Sequence, residues 1–106
     1  MDYGLSAADI SSIKNVFATN PKVYQVILFG SRAMGNYKPG SDIDLALLAN
    51  HGKLDFNDLL ELHAELEKLG LLYRFDLQNF KEIKDPDVLE HIRRVGKIIY
   101  QKNGEE

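Results

Sequence analysis

The chain has 106 residues and a 44 % hydrophobic content, which suits one domain, residues 1–106, around a single core. A net charge of −3 argues against a surface that wraps a phosphate backbone, so nucleic acid is not an expected partner. There is no cysteine, hence no disulfide framework or thiolate metal site, and neither a signal peptide nor an apolar run near the ~20 residues of a membrane span; a reducing cytoplasm is the expected setting.

Ser6 opens the first expected helix as its cap, with Asp9 three residues on and Leu5 and Ile10 at the staple positions. Ile10, Ile13, Val16 and Phe17 form its apolar stripe, and "TNP" at Thr19 to Pro21 ends it. "KVYQVILF", Lys22 to Phe29, is rich in β-branched and aromatic residues and reads as a strand. A loop with Gly30, Gly35 and Gly40 follows, with room for one helical turn at "SRAM". "DIDLALLA", Asp42 to Ala49, is the second strand, broken by "NHGK". A second long helix is expected from Phe56 to Leu69, with Asp55 as N-cap and Gly70 as C-cap glycine. "LLYRFDLQNF", Leu71 to Phe80, alternates as a third strand: Tyr73, Phe75 and Leu77 one way, Arg74, Asp76 and Gln78 the other. Asp85-Pro86 opens the last helix, whose stripe is Val88, Leu89, Ile92 and Val95, and Gly96 ends it. "KIIYQ" reads equally as a closing strand or a helical tail. The order predicts a small α/β (α+β) sheet with helices packed on one face and the other face at least partly open.

The acids break the hydrophobic pattern. Residues two apart on a strand share a face, so Asp42 and Asp44 point together, while Ile43, Leu45 and Leu47 point the opposite way into the core. Asp42 sits at the loop edge, where Asp is common in turns. Asp44 lies inside the strand, where Asp is disfavoured. Asp76 is a third acid, on the polar side of the next strand. A helix-containing connection favours a parallel crossover, which starts both strands at one end of the sheet and lets the three acids converge. Two unit charges at ~5 Å in an effective dielectric of ~20 repel by about 3 kcal/mol, and a divalent cation reverses that sign. An all-oxygen donor set that leaves room for water and phosphate suits Mg²⁺, with Mn²⁺ as the alternative.

Gly30-Ser31 turns the chain between the first strand and the acids, and glycine lets backbone N–H groups approach a ligand closely. Ser31 and Ser41 add hydroxyls, and Arg32 and Lys38 add positive charge. Gly30, Ser31, Arg32 and Ser41 are therefore the nucleotide-binding candidates beside the candidate metal ligands Asp42, Asp44 and Asp76. No G-x-x-x-x-G-K-[ST] or G-x-G-x-x-G is present. A phosphate cradle next to carboxylates fits metal-assisted phosphoryl or nucleotidyl transfer.

"GSRAMG", a short spacer, "SDIDLALL" and the later "RFDLQ" together resemble the signature of the DNA polymerase β-like nucleotidyltransferase superfamily, hG[GS], [DE]h[DE]h and a third acid. The small size and the "GSRA" wording resemble its minimal nucleotidyltransferases. The resemblance spans Phe29 to Leu47 plus Asp76, and the order of elements agrees along nearly the whole chain. It implies a mixed sheet with helices on one face. It also implies ATP as substrate, with Gly30 and Ser31 on its β- and γ-phosphates. Asp42 and Asp44 would hold both metals, or one metal plus the nucleoside triphosphate, and Asp76 would complete the second metal site and help activate the attacking hydroxyl. It further implies a helical HEPN-type partner, whose ribonuclease is neutralised by binding or by transfer of AMP to a tyrosine; a homo-oligomer stays open. A catalytically idle binding module and a small-molecule transferase of the antibiotic-modifying kind are the alternatives. His51, His63 and His91 have no metal-ligand spacing and read as ordinary surface or helix-face residues. Arg74 reads as half of a cross-strand ion pair.

Overall fold

The computed structural model describes residues 3–50 and 53–102. Helix α1, Ala7–Ala18, starts where Ser6 accepts the Asp9 N–H at 3.0 Å. Strand β1, Val23–Phe29, leads into one helical turn, α2, Ser31–Met34. Strand β2 is Ile43–Ala49, and α3, Phe56–Glu67, carries a complete capping box between Asp55 and Asp58. Strand β3 is Phe75–Asn79, α4 is Pro86–Val95 behind the Asp85 cap, and "KIIYQ" is a strand, β4, Lys97–Gln101.

The strands form a mixed sheet in the order β3-β2-β1-β4. Strand β1 runs antiparallel to both β2 and β4, and β2 runs parallel to β3 through the α3 crossover. The expected strand from Leu71 begins only at Phe75. The ladder dictates this: Phe75 is the residue opposite Ile43, where β2 itself begins, and the Arg74 carbonyl, accepting the Ile43 N–H at 2.8 Å, is the last backbone contact at that end.

Helices α1 and α3 cover one face. Ile13 and Phe17 of α1 and Leu62 and Leu66 of α3 bury against Val26, Leu28, Ile43, Leu45 and Leu47 of the sheet. The opposite face is not fully open. Phe29 and Ala46 make a second apolar cluster there with Ile92 of α4, flanked by Ile27, Phe80, Ile83 and Val88. Helix α4 thus covers the β1 side of that face and leaves the β2–β3 side, where Asp44 and Asp76 stand, to solvent and ligands.

Candidate active site

Strand register builds the acidic centre. Phe29 of β1 lies opposite Asp44 of β2, and Asp44 lies opposite Asp76 of β3. Asp44 is half-buried and Asp76 is exposed, on adjacent strands about 4.8 Å apart. Asp42 precedes β2 and is exposed; its carboxylate faces Arg74 at 3.8 Å, so the cross-strand pair expected of Arg74 forms with Asp42. Burial beside Phe29, then the charges of Asp76 and Asp42, push the Asp44 carboxyl up to about 6. Among the described residues no set of three His, Cys, Asp or Glu side chains closes into a cage able to hold an ion alone. Asp44 and Asp76 offer carboxylate oxygens, the donor type Mg²⁺ takes together with water and substrate phosphate.

Gly30 caps α2 at φ 78° and ψ −160°, a region open essentially to glycine alone. A Cβ there would also run into the Asp44 carboxylate oxygen Oδ2. The Gly30 N–H donates to His91 Nε2 at 2.9 Å, so it is already engaged, and what Gly30 brings to the cradle is the turn and the close approach. Ser31 opens α2 and its carbonyl accepts the Gly35 N–H at 2.9 Å. Replacing Gly30 with Ala is expected to lower the melting temperature by roughly 5–15 °C through backbone strain of about 1–3 kcal/mol. It should also displace Asp44 and so shrink the stabilisation by Mg²⁺ with ATP. Gly35, at φ 91° with open space where a Cβ would stand, is the control. Gly35→Ala should lose stability yet keep the Mg²⁺–ATP shift; equal loss of that shift in both variants would remove the Gly30–Asp44 contact from the explanation.

Two expected nucleotide contacts have other work. Arg32 is 1 % exposed. Its guanidinium donates to the Tyr3 carbonyl at 2.9 Å, to the Ser41 carbonyl at 3.0 and 3.1 Å and to the Pro39 carbonyl at 3.4 Å. It also lies over the Tyr37 and Tyr73 rings, 5.2 and 5.0 Å from their centroids. A side chain so enclosed holds the loop that delivers Asp42 and does not reach for phosphate. The Ser41 hydroxyl accepts the Lys38 N–H at 2.8 Å while the Ser41 N–H donates to the Lys38 carbonyl at 2.9 Å, closing the "KPGS" turn. Ser41 is thereby a turn residue one step before Asp42.

Sequence reasoning set His91 aside, yet it touches the glycine loop. Its ring also meets Phe29 edge-on, with centroids 6.2 Å apart and planes at 75°. The signal was helical phase: His91 stands three residues after Val88 and beside Ile92, on the α4 face that packs on the sheet. His63 lies 3.2 Å from the Phe75 carbonyl and 3.9 Å from Glu67, and His51 lies outside the described residues. A cavity of about 640 Å³ between Thr19–Pro21 and α3 is remote from the acids. A smaller one of about 280 Å³, lined by Phe56, Leu60, His63 and Asp76 among others, opens at the β3 edge.

A mixed four-stranded sheet presenting paired acids beside a glycine-serine turn defines a nucleotidyl-transferring domain. The chain belongs to the family described as polymerase beta, nucleotidyltransferase, which matches residues 11–105. It is 30 % identical over 98 residues to a probable protein adenylyltransferase, MntA, of Haemophilus influenzae, covering 92 % of this chain and 84 % of that protein. Among solved structures it is similar to a toxin–antitoxin crystallised with AMP-PNP, at 27 % identity and a TM-score of 0.71 over 89 % of this chain and 74 % of the other. It also shares the fold of a Shewanella oneidensis complex between a tri-AMPylated HEPN toxin and an MNT antitoxin, at 24 % identity and a TM-score of 0.66, over 90 % of this chain and 71 % of the other. No helix among the described residues is long and apolar enough to cross a membrane.

Proposed function

We propose that this protein is an antitoxin adenylyltransferase that moves AMP from ATP to a tyrosine hydroxyl of a HEPN-type toxin in the cytoplasm. The observation that carries the chemistry is the half-buried Asp44 in register with Asp76, its carboxyl raised to about 6 by burial and by the charges of Asp76 and Asp42. The relatives with an adenylyltransferase name and a bound AMP-PNP support ATP as the donor, and the toxin complexes support the acceptor.

Asp42 and Asp44 would hold Mg²⁺ with the triphosphate, and Asp44 and Asp76 a second ion; such ions supply neutralisation of the pyrophosphate charge and a lowered pKa for the acceptor hydroxyl. The chain's own residues do the rest. Gly30 supplies the turn and the close approach, and Ser31 brings its hydroxyl to the β- and γ-phosphates. Asp44, fixed between Phe29 and Asp76, would be the carboxylate shared by both ions. Asp76, exposed at the edge strand, stands where the acceptor arrives, orients its hydroxyl and accepts its proton. The tyrosine oxygen bonds to the α-phosphorus as the bond to pyrophosphate breaks. Positioning and charge neutralisation supply most of the rate.

Asp76→Ala is the test. ATP affinity is expected to fall modestly, since Asp42 and Asp44 remain, while AMP transfer to the toxin falls by at least about 10²-fold. Nucleotide affinity, melting temperature and transfer are measured on one preparation with the partner present. Undiminished transfer would sink the three-carboxylate mechanism. Full protection of the partner despite lost transfer would favour neutralisation by contact.

A further inference from the structure

His91 is the residue outside the acidic set that touches the glycine turn. Its Nε2 accepts the Gly30 N–H at 2.9 Å. The ring is itself held, edge-on against Phe29 at 6.2 Å, and by Ile92, next in the helix and buried against Phe29 and Ala46. The contact joins residues 61 positions apart and belongs to no regular ladder. It sets the plane of the Phe29–Gly30 peptide. Two neighbours depend on that plane. The Gly30 α-carbon packs so close to the Asp44 carboxylate that a Cβ would strike Oδ2. The next peptide, Gly30–Ser31, begins α2, and the Gly30 carbonyl accepts the Met34 N–H at 3.1 Å.

We propose that His91 is a positioning residue of the nucleotide site: by holding the Gly30 N–H it fixes the turn that aims Ser31 at the triphosphate and keeps the backbone clear of Asp44. It touches neither substrate nor metal and acts through Gly30. This rests on the proposed ATP-dependent function. Helix α4 then has a role beyond covering apolar surface, because it couples the second apolar cluster to the geometry of the loop.

The test pairs His91→Phe, which keeps a ring against Phe29 but has no acceptor, with His91→Gln, whose side-chain carbonyl can accept the Gly30 N–H. The Gly30 amide resonance of the ligand-free protein reports the hydrogen bond directly, and titration with Mg²⁺ and ATP reports the site. In His91→Phe the Gly30 amide proton should move upfield and exchange faster. KM for ATP and its dissociation constant should rise by about tenfold, the loss of one hydrogen bond's ordering, with KM for the acceptor unchanged. His91→Gln should recover most of both. An unmoved Gly30 resonance, or a moved one with unaltered ATP affinity, would overturn the proposal while leaving the function intact. Wild-type protein that binds no ATP would overturn the function and this inference with it. If His91→Phe does not fold, His91→Ala with His91→Gln makes the same comparison.

Discussion

Asp44→Asn is expected to reduce AMP transfer by at least about 10⁴-fold, near 5.5 kcal/mol of lost transition-state stabilisation. Asp44 is flanked in register by Phe29 and by Asp76, and it stands two residues after Asp42. Asn keeps its shape and removes its charge, which takes the shared ligand from any ion placed there. The same substitution should stabilise the metal-free protein at neutral pH. The folded Asp44 carboxyl titrates at about 6 against 3.8 ordinarily, first because burial disfavours its charge and then because Asp76 and Asp42 repel it. The folded state therefore holds that proton more tightly than the unfolded chain. Its contribution to stability is full below about pH 4 and is lost as pH rises through about 6. Melting curves of wild type and variant without metal should converge near pH 4 and separate, variant higher, at pH 7. Adding Mg²⁺ and ATP should narrow that gap, since only wild type gains; at one hundred times the dissociation constant that gain is about 2.7 kcal/mol. Equal Mg²⁺–ATP gains in the two proteins would remove Asp44 from the metal site, and a pH-independent gap would remove the proton argument.

Arg32→Ala should destabilise the protein by about 3 kcal/mol, lowering the melting temperature by roughly 10–20 °C. The guanidinium is 1 % exposed and joins Tyr3 to Pro39 and Ser41, with a tyrosine ring on each of two sides. Truncation strips charged hydrogen bonds from those carbonyls and opens a hole between the rings. Arg32→Lys separates scaffold from phosphate contact. A lysine carries the charge but lacks the planar fork, so it cannot span Tyr3 and Ser41 while stacking on both rings. The lysine variant should lose about half the stability lost by alanine, and ATP affinity should weaken only as the Asp42 loop loosens. A lysine variant with wild-type melting and a selective loss of ATP binding would restore Arg32 to the phosphates.

Sequence alone determined most elements and the acids, while Lys97 to Gln101 stayed open until pairing with β1 made it a strand. Ser6, Asp55 and Asp85 mark helix starts because side-chain oxygens there satisfy N–H groups that no helical carbonyl can reach, and all three do so in the fold. Alternation in "DIDLALLA" assigned Asp44 to the face opposite Ile43 and Leu45, since a two-residue period leaves no other choice. The helix between β2 and β3 made their pairing parallel, which set Asp76 beside Asp44. Only tertiary structure decided the rest. The start of β3 depended on where its neighbour begins, because a strand is defined by its partner's hydrogen bonds. Arg32 reads locally as a free cation in a polar loop; its burial comes from Tyr3, Tyr37 and Tyr73, which the fold gathers from three separate segments. His91 reads as a helix-face residue, and only the packing of α4 across Phe29 and Ala46 brings its ring to Gly30. Periodicity reports which way a side chain faces along its own element, whereas the atom it meets is set by long-range packing that no local pattern encodes.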